Sequence, residues 1–195
     1  MNNGFVAVVG DALIDEIRDA DGSRDFVGGA TLNVAVGLST LGIRTALIAM
    51  VGEDSDGATI RAYLDQHGVH LIANPGPYGT SRAVSIRVNA EPEYEFNEAG
   101  RRRRIRIGSR EREVLDTASH VVLSCFPYDD EPQRTEVLGA IGDARRRLIQ
   151  DPNPRMSLIT DVDRFRDGVQ SSGVCRLMKV GSDDAALLYG ATAEG

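Results

Sequence analysis

The stretch Gly28-Gly29-Ala30-Thr31-Leu32-Asn33 separates a short strand-like run from an apolar helical segment. Paired glycines ahead of a helix let the backbone approach a ligand with no side chain in the way, and Asn33 presents an amide from the first helical turn. The carboxylates of Asp11 and Asp15 lie a short way upstream. Two carboxylates and an amide around a bare backbone suit a ligand that carries many hydroxyl groups.

The segments around this stretch predict parallel α/β units. Residues 5–9 form a short apolar run, which is typical of a buried strand with Asp11 at its carboxyl end. Apolar spacing predicts a helix over residues 31–41. A strand over residues 45–51, an acidic loop and a helix over residues 58–67 repeat that unit.

Two other segments alternate apolar and polar residues and predict a separate small sheet. Residues 12–27 are typical of a hairpin that leaves the main sheet. Residues 81–88 and 93–96 show the half-buried antiparallel pattern. We expect these segments, about 12–27 and 80–98, to form a β-sheet lid inserted in one α/β domain over residues 1–195.

Helices and strands alternate again in the second half of the chain. The pattern predicts helices near residues 110–118, 131–147, 161–172 and 182–189, and strands at 69–73, 121–126, 148–150 and 176–180. Alternating β and α units favour a doubly wound, mainly parallel sheet.

Composition favours an ordinary soluble protein. The chain has 195 residues, 42% of them hydrophobic, and a formal net charge of −7. That charge disfavours partners such as nucleic acid or an anionic membrane surface. No apolar run reaches the ~18 residues of a membrane span, and no export signal precedes the first strand. Cys125 and Cys175 lie in apolar stretches, so we expect buried, reduced thiols and a cytoplasmic location.

Several common catalytic motifs are absent from the sequence. No GxGxxG follows the first strand and no GxxxxGK[ST] occurs, which disfavours a dinucleotide oxidoreductase and a P-loop enzyme. There is no GxSxG and no HExxH, and the three histidines lack metal-ligand spacing. The basic cluster Arg101-Arg102-Arg103-Arg104 is interpreted as a solvated face, because it lacks the aromatic or helical context of a nucleic-acid site.

The run Asp151-Pro152-Asn153-Pro154-Arg155 follows an apolar strand. Its two prolines restrict φ and so stiffen the loop at the ligand edge of the sheet. Asn153 and Arg155 are therefore candidate ligand-binding residues, with a rigid surface turn as the alternative.

In this order, these motifs resemble the ribokinase/PfkB family of carbohydrate kinases. The resemblance implies a Rossmann-like domain with a β-sheet lid, and an ATP-dependent transfer of phosphate to a sugar hydroxymethyl group. Asp15 matches the family aspartate that holds sugar hydroxyls, with Asp11 as a companion. Gly28, Gly29 and Asn33 match the substrate-binding GGxxxN.

Other positions refine the substrate that the resemblance implies. Leu13 replaces an asparagine of ribose kinases, which favours a fructose-like or ketodeoxy sugar. In similar members the equivalents of Asn153 and Arg155 lie near the sugar or the transferred phosphate. Phe96 is a candidate apolar contact from the lid to the sugar, with a place in the core of the lid as the alternative.

The segment from Lys179 to Asp184 resembles one that lies near the nucleotide and organises Mg²⁺ through water. Gly181 stands where the family has asparagine, and Asp184 where it has glutamate. The resemblance thus implies ATP and Mg²⁺, with Lys179 near the nucleotide and Asp184 near the hydrated cation. Simple charge at a helix N-terminus is the alternative for Asp184.

No residue of this chain matches the family's D-T-x-G-A-G-D element, which supplies the general base and the anion hole. The resemblance places that element downstream of Gly195. We therefore expect no catalytic residue here, a C-terminal part of the fold that is absent, and a chain that is nearly inert alone. The resemblance also implies a homodimer formed through the lid. A non-catalytic sugar-binding or oligomerising protein, and a nucleoside kinase relative, remain alternative hypotheses.

Overall fold

The computed structural model describes residues 4–19, 22–88, 91–142, 147–173 and 175–190. The strands are β1 (Val6–Gly10), β2 (Leu13–Asp19), β3 (Gly22–Gly28), β4 (Thr45–Met50), β5 (His70–Asn74), β6 (Ser81–Val88), β7 (Glu91–Phe96), β8 (His120–Ser124), β9 (Leu148–Asp151) and β10 (Leu177–Met178). The helices are α1 (Ala30–Thr40), α2 (Ser55–Gln66), α3 (Glu98–Arg101), α4 (Ser109–Thr117), α5 (Glu131–Ile141), α6 (Val162–Ser171) and α7 (Ser182–Tyr189).

The main sheet has six parallel strands in the order β10-β9-β8-β1-β4-β5. Strand β1 lies between β4 and β8, and all five of its residues are buried. Side chains alternate across a strand, so Ala7 and Val9 pack on the face with α4 to α7, while Val6 and Val8 pack on the face with α1 and α2. Helices on both faces confirm the predicted doubly wound arrangement.

The second sheet has four strands in the order β3-β2-β6-β7. The β2–β3 and β6–β7 pairs are antiparallel, and β2 and β6 run parallel. Residues directly paired across strands share one face of a sheet. One row on the face toward the main sheet therefore contains Phe26, Asp15, Ala83 and Phe96.

The opposite face of the small sheet carries an ion network centred on Arg82. Its guanidinium contacts Asp56 of α2 at 2.9 Å, Asp25 of β3 at 2.8 Å and Glu16 of β2 at 3.2 Å. Hydrogen bonds from Arg18 and Ser23 to Glu16, with burial opposing them, lower the pKa of this carboxyl to about 2. The network joins three strands of the small sheet to a helix of the main domain.

Asp54 makes a second connection between the two sheets. Its carboxylate caps α2 by accepting from the Gly57 N–H at 2.8 Å, and it accepts from the Thr80 N–H at 2.7 Å just before β6. Burial raises the pKa of Asp54, but the bonds from Thr80 and Gly57 outweigh burial and lower the pKa overall. The loop before α2 thus fixes where the small sheet begins.

Helix α5 accounts for residues 131–141 of the helix predicted over residues 131–147. Helix α5 ends at Ile141, because Gly142 follows it with φ +49°, a conformation that favours glycine. Residues 143–146 lie outside the described part of the chain. The strand predicted over 176–180 is shorter, since β10 has only two residues.

The description of the chain stops at Gly190, one residue after α7 ends. Gly195, downstream of which the general base and the anion hole are expected, lies outside the described residues. That expectation therefore stays a prediction.

Both cysteines are unpaired, with Cys125 buried and Cys175 half-buried. In the described residues, no helix has the length and apolar character needed to cross a bilayer.

Candidate functional site

A cleft of about 470 Å³ lies between the small sheet and the carboxyl ends of the main-sheet strands. It is lined by polar and apolar side chains from both sheets. These are Asp11, Leu13, Asp15, Ile17, Phe26, Gly29, Ala30, Asn33, Ala83, Ser85, Tyr94, Phe96, Cys125, Arg155 and Leu158. The carboxyl ends of parallel strands are where open α/β sheets bind ligands.

Neighbouring atoms approach both glycines closely, backbone atoms at Gly29 and the Asp15 side chain at Gly28. Gly29 has φ +111°, and a Cβ there would lie 3.0 Å from the carbonyl oxygen of Asp11. A Cβ on Gly28 would overlap the carboxylate of Asp15. The paired glycines therefore let α1 begin directly beside the two aspartates.

Asp11 positions the start of α1 as well as lining the cleft. Its Oδ1 accepts from the Thr31 N–H at 2.9 Å, and its own N–H donates to Thr31 Oγ1 at 3.0 Å. Thr31 Oγ1 in turn donates to the carbonyl of Ser124 at 2.8 Å. Asp11 thus satisfies an N–H at the start of α1 that Gly29, which has no side chain, cannot cap. Asp11, predicted as a companion of Asp15 in sugar binding, therefore also stabilises the helix.

Asp15 is half-buried, and its side chain makes no hydrogen bond to another described residue. Burial, and then repulsion from Asp11, raise the pKa of Asp15, while attraction to Arg155 partly lowers it. A carboxylate held in a cleft without a partner is costly for a fold and is typical of functional sites.

Asn33 and Arg155 also face the cleft with open hydrogen-bonding groups. Within the described ranges, neither the Asn33 amide nor the Arg155 guanidinium bonds another side chain. The structure therefore brings Asp15, Asn33 and Arg155 around one space, with a carboxylate, an amide and a cation free to contact a ligand.

Asn153 does not line the cleft, although Arg155 does. Asn153 has φ +40°, which asparagine tolerates better than most residues, and the flanking Pro152 and Pro154 are buried. In this structure Asn153 shapes the loop that delivers Arg155.

Lys179 and Asp184 lie away from the cleft and have partners of their own. Lys179 Nζ is 3.1 Å from Asp151 Oδ1. Asp184 Oδ2 accepts from the Gly181 N–H at 3.0 Å and so caps α7. The described residues contain no cluster of three or more His, Cys, Asp or Glu that could hold a metal ion directly. The water-mediated role expected of Asp184 toward Mg²⁺ stays a prediction.

Phe26, Tyr94 and Cys125 line the cleft without having been singled out as ligand contacts from the sequence. Cys125 has φ +48° and accepts a 3.5 Å contact from Arg103 Nη1. Burial, and then the charge of Asp11, raise the pKa of its thiol to about 11, so it stays protonated. Phe26 is revealed only by the pairing of β3 with β2, which places it opposite Asp15.

The sequence matches the pfkB family of carbohydrate kinases over residues 3–193. The chain belongs to this family. Its fold matches those of solved sugar kinase structures.

Among curated relatives, the acarbose 7(IV)-phosphotransferase of Actinoplanes sp. is 41% identical over 81 residues, which cover 42% of this chain and 24% of the relative. The probable fructokinase-5 of Arabidopsis thaliana is 24% identical over 209 residues, covering 99% of this chain and 64% of the relative. The chain therefore spans less than two thirds of the length of these curated relatives.

Two solved structures show the same fold at low identity. A sugar kinase from Pyrococcus horikoshii, solved in complex with ATP, has a TM-score of 0.79 and 20% identity, covering 95% of this chain and 66% of that one. A fructokinase from Xylella fastidiosa with bound ATP has a TM-score of 0.77 and 18% identity, covering 96% of this chain and 64% of that one.

Proposed function

We propose that this chain forms the sugar-binding portion of an ATP-dependent carbohydrate kinase. The acceptor is a hydroxymethyl group of a fructose-like or ketodeoxy sugar. The observation that carries this proposal is the cleft in which Asp15, Asn33 and Arg155 converge without other side-chain partners among the described residues. Family membership supports the class of reaction.

The chemistry assigned to this chain is binding and orientation of the acceptor. A carboxylate accepts hydrogen bonds from two sugar hydroxyls, and the Asn33 amide can donate to one and accept from another. Hydrogen bonds to charged groups are worth ~1.5–3 kcal/mol each. Phosphoryl transfer depends on positioning and on electrostatic stabilisation, so a hydroxyl fixed by Asp15 is one requirement of the reaction.

Arg155 supplies the positive charge at the cleft. It lies within electrostatic reach of Asp15, whose pKa it partly lowers. We propose that it attracts the transferred phosphate or the carboxylate of an acidic sugar, and that Phe96 limits the lid side of the sugar site. Gly28 and Gly29 keep the floor beside Asp15 open, while Asp11 supports α1.

The nucleotide side of the reaction depends less on the residues described here. ATP binding is proposed from family membership and from the ATP complexes among the neighbours, and Mg²⁺ from the chemistry of phosphoryl transfer. We assign no general base to the residues up to Gly195 and expect the chain alone to be nearly inert. We also propose that the protein forms a homodimer through the small sheet. A cytoplasmic location is proposed as well, and it is consistent with the unpaired thiols.

Calorimetry tests the binding site with fructose, ketodeoxygluconate, ribose and adenosine against the wild-type chain and Asp15→Asn. We expect fructose or ketodeoxygluconate to bind and the variant to bind it at least tenfold more weakly. Binding of adenosine alone, or an unchanged affinity in the variant, contradicts the sugar site. A coupled ATPase assay tests the expected inertness, which robust sugar-dependent turnover would refute.

A further inference from the structure

The cleft-facing side of the small sheet continues beyond the row that contains Asp15. The next row outward contains Ile17 of β2, Ser85 of β6 and Tyr94 of β7, which pair with one another across the strands. All three side chains line the same cleft as Asp15. Since a strand advances about 3.3 Å per residue, this row lies about 6.6 Å beyond the Asp15 row.

This outer part of the cleft is apolar and aromatic yet open to solvent. Phe26 is 48% exposed and Tyr94 is 46% exposed. Ligand sites are lined mainly by apolar and aromatic side chains with a few polar groups, and this part of the cleft has that composition. We call the outer row of Ile17, Ser85 and Tyr94, together with the exposed Phe26 at the β3 edge of the Asp15 row, the rim shelf.

The cleft is also larger than one sugar ring requires. A hexose displaces about as much volume as six waters, or roughly 180 Å³ at about 30 Å³ per water, whereas the cleft has about 470 Å³. Tyr94 further lines an adjoining depression of about 430 Å³ that Met156 and Leu187 share. A single ring at Asp15, whose paired neighbour is Phe26, leaves the outer row of Ile17, Ser85 and Tyr94 for a second ring.

The spacing of the two aromatic groups favours an extended ligand over a clamped flat ring. Phe26 lies on β3 and Tyr94 on β7, at opposite edges of the sheet and three strand spacings apart, which is about 14 Å. Side chains stand nearly perpendicular to a sheet, and clamping one flat ring between two groups requires roughly 7–8 Å. The two aromatic groups are therefore too far apart to enclose one flat ring, and they can instead contact one side of a longer ligand.

We propose that the acceptor is an oligosaccharide and that the ring next to the phosphorylated ring lies on the rim shelf. Sugar rings have a C–H face that packs on Ile17 and the aromatic groups, and hydroxyls that can bond the hydroxyls of Ser85 and Tyr94. This inference rests on the proposed function, because Asp15 and Asn33 hold the ring that receives phosphate.

Calorimetry with matched pairs of sugars tests this inference: fructose against sucrose, and glucose against maltose and maltotriose. In at least one pair we expect the longer sugar to bind the wild-type chain about tenfold more tightly, and Phe26→Ala or Tyr94→Ala to reduce that affinity ratio about tenfold. Tyr189→Ala, which removes an equally exposed aromatic ring on α7, should keep the wild-type ratio.

The outcomes separate this inference from the proposed function. Suppose that a monosaccharide binds in an Asp15-dependent manner, but that none of the disaccharides or trisaccharides binds more tightly than its monosaccharide. The rim shelf proposal then fails and the sugar site stands. If no sugar binds, both fail. Adenosine binding more tightly than every oligosaccharide overturns the proposal. The proposal is also overturned if Phe26→Ala or Tyr94→Ala changes the mass of the protein assembly in solution and leaves the affinity ratio of long to short sugar unchanged. The rim shelf would then be an interface between copies of the chain.

Discussion

The two faces of the small sheet differ in how completely their charged groups are satisfied. On the outer face, Glu16 receives bonds from Arg18, Ser23 and Arg82. On the cleft face, the neighbouring residue Asp15 has no hydrogen bond from another described side chain and a raised pKa. Adjacent residues of one strand thus differ: Glu16 is bonded within the small sheet, whereas Asp15 is the residue to which the proposed function assigns the ligand.

The largest expected effect comes from neutralising the cleft face. Asp15→Asn removes a charged acceptor of two hydroxyl bonds, and we expect sugar affinity to fall about 30- to 100-fold. The same change should raise stability at neutral pH, because it removes a charge that burial and Asp11 disfavour. Calorimetry and urea denaturation measure the two effects.

Glu16→Gln is the matched control for that experiment, because it changes the same group one residue along β2. We expect it to lower stability and to leave sugar affinity unchanged, since its carboxylate bonds the outer network. If the two variants changed sugar affinity and stability in the same way, the proposed difference between the two faces of the small sheet would be contradicted.

The next largest effect should come from the centre of the outer network. Arg82→Met leaves Glu16, Asp25 and Asp56 close together without their shared cation. The site is partly exposed, so we expect a loss of about 1–2 kcal/mol in the free energy of unfolding. Arg18→Met, whose side chain is more exposed and has one carboxylate partner, should cost less, and an equal cost would argue against a central role for Arg82.

A loss of similar size is expected where Asp54 connects α2 to the start of β6. Asp54→Ala removes a helix cap and two bonds from Thr80, and about 1–2 kcal/mol of stability should be lost. Glu53→Ala is the control, since its exposed ion pair with Arg61 should contribute less than about 0.5 kcal/mol. Thermal denaturation of both variants at one pH compares them.

The smallest effect is a pH dependence of opposite sign on the two faces. The raised pKa of Asp15 contributes stability that is present below 3.8 and lost as pH rises through the folded value. The lowered pKa of Glu16 contributes stability that is present above 4.5 and lost as pH falls towards about 2. Unfolding free energies of Asp15→Asn and Glu16→Gln across this range should deviate from wild type in opposite directions, and deviations of the same sign would contradict the assignment.

Most of the fold could be predicted from local sequence patterns. The buried run that forms β1 and the alternation in β2 and β6 were predicted, because each reflects the environment of single residues on one strand. The length of β10 was not, because it depends on where pairing with β9 stops, and the register between strands is poorly fixed by sequence alone.

The site residues that were predicted also differ from those that were missed in whether local sequence determines their position. Residues near strand ends and the glycine pair, such as Asp15 and Asn33, were found from local spacing, and the structure places both at the cleft. Phe26 and Tyr94 were not found, because their position depends on the register between strands, which sequence alone fixes poorly. Lys179 was assigned by resemblance, and here it pairs with Asp151 instead of facing the cleft.

A structure of the chain with its acceptor sugar bound tests the central claim most directly. We expect hydroxyl oxygens of one ring within about 2.5–3.2 Å of both the Asp15 carboxylate and the Asn33 amide, with the bare backbone of Gly29 beneath them. A sugar bound elsewhere, with Asp15 and Asn33 left in solvent, would contradict a hydroxyl-binding role for the cleft.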